Sequence, residues 1–176
     1  PDCVSSELLD YLEELNKRTF LIVEYGIESC NDDTLRFINR GHDFACTRKA
    51  VEETAKRGIY VGGHVIMGLP GEDASESLRQ APIISSLPLT MLKIHQMQII
   101  KGTRLAKIYK ERPFHLYTIE EYIDLITQYI GLLRSDLVLE RFVTQSPPEM
   151  LIAPKWGLKN YEFTNLLNNR LREMRL

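Results

Sequence analysis

Hydrophobic and polar positions alternate along residues 20–28, which predicts a first β-strand. The period of two divides this strand into an apolar face and a polar face, formed by Val23, Tyr25 and Ile27 and by Glu24, Gly26 and Glu28 respectively. Residues 60–68 and 91–100 have the length and composition of two further strands, and residues 138–143 predict a fourth.

Helical periodicity separates these strands. Apolar positions three or four residues apart predict helices over residues 6–16, 32–40, 47–57, 75–86 and 103–110, with a last helix after Trp156. We expect Pro82 to kink or end the helix that contains it. The clearest helix begins at Thr118, where Glu121 completes a capping box ahead of an apolar stripe.

Strands that alternate with helices of about ten residues predict parallel strands joined by helical crossovers. The fold class is therefore α/β, a partial parallel (βα) barrel of the TIM-like kind. A complete eight-fold barrel needs roughly 200–250 residues, and this chain of 176 has about half the units. We predict barrel units over residues 1–145, a C-terminal loop and helix over 146–176 packed on the same domain, and a sheet edge without a neighbour.

Composition narrows the class of protein without naming a ligand. The chain is 44% hydrophobic and 26% charged, with a net charge of −2, which fits one compact domain and gives no bulk attraction for nucleic acid. No apolar run approaches the ~20 residues that span a bilayer, so we expect no membrane association. Cys3, Cys30 and Cys46 are spaced too widely for a disulfide framework or a local metal loop, which favours ordinary thiols and a cytoplasmic location.

Candidate chemistry begins with the two carboxylates of the first strand. Ligands of parallel α/β proteins bind at the carboxyl ends of the strands, and the polar face of Glu24 and Glu28 would line the barrel lumen. Buried carboxylates are costly unless they are paired or bind a polar ligand. Either acid could pair with an arginine. Arg40 could neutralise Glu28, meet a ligand carboxylate, or stay solvated.

The second and third strands offer less specific signals. His64 is a lone histidine among apolar residues, and it is either a structural residue or a ligand contact. The turn over residues 68–72 opens a helix but lacks the Lys-Ser/Thr pair of a phosphate loop. Polar residues occupy both faces of the third strand, from Lys93 to Gln98, so the sequence leaves its inward side open.

Several stretches together resemble a known family. They are VEYGIES at 23–29, NRGHDFA at 39–45 and HVIMGLPGE at 64–72, followed by KIHQ at 93–96, KGT at 101–103 and LIAPKW at 151–156. In combination they resemble radical S-adenosylmethionine proteins. The match is to the uncharacterised bacterial group labelled putative Fe–S oxidoreductases, related to the Elongator catalytic subunit and coproporphyrinogen dehydrogenase. The resemblance covers nearly the whole chain.

The resemblance implies a (βα)₆ partial barrel, of which this chain would be the later half plus C-terminal helices. It also implies S-adenosylmethionine and a [4Fe–4S] cluster held by three closely spaced cysteines, which together generate a 5′-deoxyadenosyl radical. Because this chain lacks that cysteine spacing, we expect the cluster in the N-terminal half of a longer parent. The fragment alone would then carry no cluster and be inactive.

The resemblance also implies roles for individual residues. The position of Glu28 contacts the cofactor's ribose or methionine end, and that of Arg40 approaches its carboxylate. His64 departs from the family, whose coproporphyrinogen-type members carry an acid there. The strand at 98–100 would offer backbone groups to adenine, and the turn at Gly68 would shape the lumen near the cofactor. The predicted cofactor-binding residues are Glu24, Glu28, Arg40, His64, Gly68 and Ile100.

Two other functions remain open. The first is a non-redox α/β domain that binds a phosphate ester or another small molecule, with the turn at Gly68 holding the phosphate and the lumen acids paired with Arg40 or Lys93. The second is a tRNA-modifying radical enzyme, suggested by the Elongator resemblance and by the basic residues Arg170, Arg172 and Arg175. The substrate would thus be a small molecule or tRNA, and the N-terminal half of the same protein would be the partner.

Overall fold

A computed structural model describes residues 1–174 of the chain. The helices are α1 Ser6–Asn16, α2 Asp32–Phe37, α3 Phe44–Ala55, α4 Ala74–Ser86, α5 Arg104–Glu111, α6 Ile119–Leu132 and α7 Asn160–Met174. The strands are β1 Ile22–Glu28, β2 Tyr60–Met67, β3 Met91–Gln96, β4 Ile99–Ile100, β5 Val138–Arg141 and β6 Leu151–Ala153.

Four strands form one parallel sheet in the order β1-β2-β3-β5, which confirms the predicted α/β class and the partial barrel. Gly26 lies opposite His64, and His64 lies opposite Lys93, so these three positions form one row across the sheet. Among the described residues, β1 and β5 have no further strand on their outer edges. The sheet is therefore open rather than closed into a barrel.

Side chains cap most of the helices at their N-termini. The Asp43 carboxylate accepts a hydrogen bond from the Cys46 N–H at 2.8 Å, so α3 begins at Phe44 rather than at the predicted Thr47. The capping box at the start of α6 is confirmed. Pro82 does not end α4, which continues past it to Ser86 with buried residues on both sides of the proline, and a kink there stays a prediction.

The core lies between the sheet and the helices. Its buried apolar side chains come from alternate strand positions and from the inner faces of α6 and α7, and include Tyr25, Ile27, Val61, Val65, Leu92, Ile94, Tyr122, Ile126, Phe163 and Leu167. The C-terminal helix thus shares the core of the parallel sheet. No helix among residues 1–174 is long and apolar enough to cross a membrane.

The predicted third strand is in fact two short strands. β3 ends at Gln96, and β4 pairs antiparallel with β6, a segment that the sequence placed in a loop. The Gln96 amide bonds both backbone groups of Thr144, at 3.0 and 2.8 Å, and Gln98 donates to the same carbonyl at 3.1 Å. Beyond β3, hydrogen bonds from side-chain amides therefore take the place of backbone hydrogen bonds between strands. The backbone can then turn and enter β4.

Candidate functional site

Glu28 ends β1 in a left-handed backbone conformation, with φ at 63°. The β1–β2 register shifts between Gly26 and Glu28, and Glu28 lies opposite Val65. Residues other than glycine rarely adopt this conformation, and when they do they cluster at functional sites. The strand therefore ends in a bend that the surrounding structure must hold.

A buried hydrogen-bond network directly after the bend holds it in place. The Ser29 hydroxyl donates to the Glu72 carboxylate at 2.5 Å and accepts from the Asn31 N–H at 2.9 Å. The Gln80 carbonyl accepts from the Cys30 N–H at 2.7 Å. Ser29 is fully buried, and Glu72 and Gln80 are nearly so. Glu72, the last residue of the motif at 64–72, thus has a structural role that the sequence did not reveal.

Arg40 reaches the end of β1 from the turn after α2. Asn39 adopts φ 58°, and the Arg40 N–H donates to the Leu35 carbonyl at 2.9 Å, which closes the turn. The guanidinium Nη2 donates to the Gly26 carbonyl at 2.8 Å and lies 3.5 Å from Glu28 Oε1. The geometry therefore places a cation and a carboxylate side by side at the carboxyl end of the strand.

Both charged groups keep unused hydrogen-bonding capacity. Arg40 Nε is buried and has no hydrogen-bond partner, and no hydrogen bond to the Glu28 carboxylate is found within residues 1–174. Burial raises the pKa of Glu28, while the positive charges of Arg40 and His64 act in the opposite direction. A pair of this kind can receive a ligand that carries both a carboxylate and a hydrogen-bond donor.

Gly26 makes room for the pair. A Cβ at this position would overlap the Glu28 carboxylate and come within 2.5 Å of Arg40 Nη2. The glycine that the sequence placed between two acids therefore forms a cradle for Glu28 and Arg40, which lie across its backbone.

Deeper along the same open face, four charged or polar side chains cross the sheet. We call them the lumen row: Glu24 of β1, His64 of β2, Lys93 of β3 and Glu140 of β5. Glu24 contacts His64 Nε2 at 2.8 Å and accepts from Lys93 Nζ at 2.6 Å, and Lys93 lies 3.3 Å from Glu140. The hydrogen bond from Lys93 is the main cause that lowers the pKa of Glu24, and the bond to His64 lowers it further.

Two neighbours complete the lumen row. A Cβ on Gly62 would lie 2.9 Å from Cγ of Glu24, so the glycine allows Glu24 to lean across toward its partners. The ring of His95 lies 5.5 Å from that of His64, measured between centroids. Burial lowers the pKa of His95 to about 4, with further contributions from neighbouring positive charges. His95 is therefore neutral at physiological pH.

An apolar cavity of about 440 Å³ opens at the carboxyl ends of β2 and β3. Its walls include Ile66, Leu69 and Met97, with Asn39 and Arg104 at its polar parts. Asn39 precedes Arg40 in the chain, and Ile66 lies two residues beyond His64 on β2. Its size and walls suit a flat, partly apolar group.

The structure brings together Glu24, Glu28, Arg40 and His64 and separates them from the other two predicted residues. Gly68 (φ 82°) lies against the Tyr117 ring, which a Cβ there would meet at 3.0 Å. Ile100 belongs to β4, where it pairs with Leu151. Cofactor contacts by Gly68 and Ile100 stay predictions. Neither residue lines the cavity at Ile66.

The sequence missed Glu140 and left the orientation of Lys93 open. The parallel register fixes both, because it places Lys93 beside His64 and brings Glu140 of β5 to its other side. Lys93 and His95 face the lumen, while Gln96 is buried on the opposite face. The only signal in the sequence was the alternation over residues 93–96.

Two features bear on the alternative functions. The Asp73 carboxylate caps α4 by accepting from the Glu76 N–H at 2.8 Å, so the helix end after the turn at Gly68 already holds an anion. Arg170 lies 3.1 Å from Asp124 and 3.6 Å from Glu173, which neutralises part of the basic helix end. Arg175 lies outside the described residues.

The three cysteines are separate and unpaired with one another. Burial raises the pKa of the Cys30 thiol to about 12, with a further contribution from the charge of Glu72. Within residues 1–174, no three His, Cys, Asp or Glu side chains lie close enough together to hold a metal ion.

A parallel sheet with helices on one face and a polar open face with charged groups at its strand ends defines a partial (βα)-barrel protein. Residues 2–79 match the family model of the radical SAM superfamily, and residues 89–173 match the model of the Radical_SAM C-terminal domain. The chain belongs to the radical S-adenosylmethionine superfamily, as the resemblance predicted.

Individual relatives support this assignment. The chain is 33% identical over 171 residues to the uncharacterized protein YtqA of Bacillus subtilis, a match that covers 97% of the chain and 53% of YtqA. It is 31% identical over 108 residues to the tRNA uridine(34) acetyltransferase of Methanocaldococcus jannaschii, covering 60% of the chain and 20% of that protein. YtqA and an archaeal relative match nearly the whole of this chain, and the chain spans about half of their own length.

The fold also matches a solved structure. The archaeal Elp3 of Methanocaldococcus infernus, with an N-terminal deletion, superposes with a TM-score of 0.81 at 22% identity. The match covers 95% of this chain and 39% of that protein, and at this identity it shows the shared fold.

Proposed function

We propose that the chain forms the S-adenosylmethionine-binding and substrate-facing part of a radical S-adenosylmethionine enzyme of the Fe–S oxidoreductase kind. The observation that carries the proposal is the pair of Arg40 and Glu28 over Gly26, at the carboxyl end of a strand. Arg40 holds one buried N–H without a partner, and Glu28 holds a carboxylate without a hydrogen bond among the described residues.

The residues present fit the two ends of S-adenosylmethionine. Arg40 offers a guanidinium to the methionine carboxylate, and Glu28 offers an acceptor to the amino group or to a ribose hydroxyl. The apolar cavity lined by Ile66, Leu69 and Met97 includes Asn39, which precedes Arg40 in the chain, and its size and walls suit the adenine ring. When bound and reduced, the cofactor supplies hydrogen-atom abstraction from a substrate. The chain's own task is to orient it and to present the lumen row to the substrate.

We also propose that a further part of a longer protein carries the [4Fe–4S] cluster. The support comes from the relatives, which are about twice as long as this chain. The Cys30 thiol is a poor ligand in this structure, since its raised pKa disfavours the thiolate that binds iron. That further part would complete the sheet along the outer edge of β1.

Isothermal titration calorimetry tests the cofactor site on the full 176-residue chain. We expect binding of S-adenosylmethionine and a loss of about tenfold or more in Arg40→Met, since a hydrogen bond to a charged group contributes about 1.5–3 kcal/mol. Arg36→Met is the matched control, because Arg36 is exposed and pairs with Asp33 on the surface of α2. Equal affinity in wild type and Arg40→Met would contradict the proposal.

The same titration separates the phosphate-binding alternative. Binding of a phosphate ester without any response to S-adenosylmethionine would favour that alternative. The Asp73 cap on α4 argues against it, because a phosphate at that helix end would meet a carboxylate.

A second candidate is modification of tRNA by the longer protein. It is supported by the similarity to a relative named tRNA uridine(34) acetyltransferase. The ion pairs of Arg170 with Asp124 and Glu173 reduce the charge available at the C-terminal helix. Filter binding of tRNA over a salt series tests this candidate, which predicts affinity that falls steeply as salt increases.

A further inference from the structure

The lumen row connects all four strands of the parallel sheet through side chains. Its contacts run from His64 to Glu24 at 2.8 Å, from Glu24 to Lys93 at 2.6 Å, and from Lys93 to Glu140 at 3.3 Å. The four residues lie on the concave face, opposite the helices. His64 keeps 30% of its side-chain surface exposed, while Lys93 keeps only 13%. The imidazole ring of His64 is therefore partly accessible, and it contacts the ion pair of Glu24 with Lys93.

The partner of His64 decides which ring nitrogen carries the proton. Glu24 is held ionised by the hydrogen bond from Lys93, so its oxygens only accept hydrogen bonds. The 2.8 Å contact with Glu24 Oε2 therefore requires a proton on His64 Nε2. In the neutral ring, Nδ1 is left with a free lone pair, and no hydrogen bond to it is found within residues 1–174.

We propose that His64 accepts a proton through Nδ1 from a hydroxyl or amino group of the substrate in the lumen, and that Glu24 is the positioning residue that fixes the ring for this transfer. This inference deepens the proposed function and rests on it. In the transfer, the O–H or N–H bond of the substrate breaks and an Nδ1–H bond forms. The bonding electron pair stays on the substrate atom, and no electron is transferred. The imidazolium that results lies against the Glu24 carboxylate, which compensates its charge.

Other groups on this face suit the role less well. His95 has a half-buried ring whose low pKa, about 4, makes it a weak proton acceptor. Glu28 lies beside the Arg40 guanidinium, 3.5 Å away, and is assigned to the cofactor. Glu24 and Lys93 are hydrogen-bonded to each other and are therefore already paired. His64 thus combines a ring nitrogen that has no hydrogen bond within residues 1–174 with a partner that compensates a new positive charge.

Nitrogen-15 NMR of the full chain tests the tautomer without any cofactor. Long-range correlations at about pH 8, where imidazole rings are neutral, report which nitrogen is protonated. We expect His64 to carry its proton on Nε2 in wild type and in Glu140→Gln, which leaves the Glu24–Lys93 bond in place. In Glu24→Gln, the two nitrogen signals should move toward the averaged values of a free imidazole. His64→Gln identifies the signals, and an unchanged His95 pattern shows that the variants keep their fold.

Reaction with diethyl pyrocarbonate, mapped by mass spectrometry, tests whether Nδ1 can react from the lumen. We expect His64 to be modified several-fold faster than His95. A proton on Nδ1 in wild type, no change in Glu24→Gln, or modification of His95 before His64 would each overturn the proposal. Because neither measurement contains S-adenosylmethionine, failure here is distinct from failure of the cofactor titration.

Discussion

Replacing Gly26 by alanine adds one methyl group at the centre of the candidate site. The new Cβ would overlap the Glu28 carboxylate and lie within 2.5 Å of Arg40 Nη2. Both contacts are with the far ends of long side chains on the open face, which can move away without disturbing the core. We therefore expect Gly26→Ala to fold normally and to lose its arrangement of Glu28 and Arg40.

The magnitude follows from the contact that a displaced Arg40 could no longer make with the ligand. A hydrogen bond from its guanidinium to the methionine carboxylate contributes about 1.5–3 kcal/mol. At about 1.4 kcal/mol for each factor of ten, the affinity for S-adenosylmethionine should fall by about 10- to 100-fold. Calorimetry on the 176-residue chain gives the affinity, and urea denaturation gives the free energy of unfolding.

Gly63→Ala is the matched control on the other face of the sheet. Its Cβ would lie 2.8 Å from Cδ1 of Ile27 and 3.1 Å from Cδ1 of Leu89, both in the core. Overpacking of this kind costs about 1–3 kcal/mol of stability, with the affinity of the folded protein retained. The reasoning would be refuted if Gly26→Ala bound S-adenosylmethionine as tightly as wild type does.

Four further predictions concern stability. Gly68→Ala should cost about 1–2 kcal/mol in urea denaturation, because Gly68 has φ 82° and a Cβ would meet the Tyr117 ring at 3.0 Å. Ser29→Ala should cost about 1–3 kcal/mol, since it leaves a buried carboxylate without its donor, and a variant as stable as wild type would contradict the network. Glu28→Gln should stabilise the chain at pH 7. Burial raises the folded-state pKa of Glu28, so the wild type loses stability as the pH rises from the unfolded pKa of about 4.3 through the folded-state pKa, and glutamine avoids this loss. Glu24→Gln should destabilise the chain at pH 7. The pKa of Glu24 is lowered in the folded state, so its carboxylate contributes stability above the unfolded-state pKa, and this stability is lost as the pH falls. Urea denaturation midpoints at pH 4 and pH 7 check the direction of the change for Glu28→Gln and Glu24→Gln.

Local patterns predicted the elements whose signals are local. The alternation around Tyr25 and Ile27 correctly gave the buried face of β1, and the capping box at Thr118 correctly gave the start of α6. For Arg40 the sequence left three alternatives open, and the structure places its guanidinium beside Glu28. The left-handed bend at Glu28 could not be predicted, because it depends on buried hydrogen bonds to residues far along the chain.

Features that depend on register between strands could be predicted only as alternatives. The non-redox interpretation paired the lumen acids with Arg40 or Lys93 without saying which acid meets which base. The bond between Lys93 and Glu24 joins residues 69 positions apart, and it depends on the pairing of β1 with β2 and of β2 with β3. The end of β3 at Gln96 depends on hydrogen bonds to the backbone of Thr144, and no local pattern predicts that contact. A polar residue on a strand shows which face it occupies but does not identify its partner.

A crystal structure of the 176-residue chain grown with S-adenosylmethionine tests the central claim most directly. We predict the methionine carboxylate within hydrogen-bond distance of the Arg40 guanidinium, the amino group or ribose beside Glu28, and the adenine in the cavity at Ile66. Electron density for the ligand on another face of the sheet, with Arg40 and Glu28 bonded only to each other, would contradict the account.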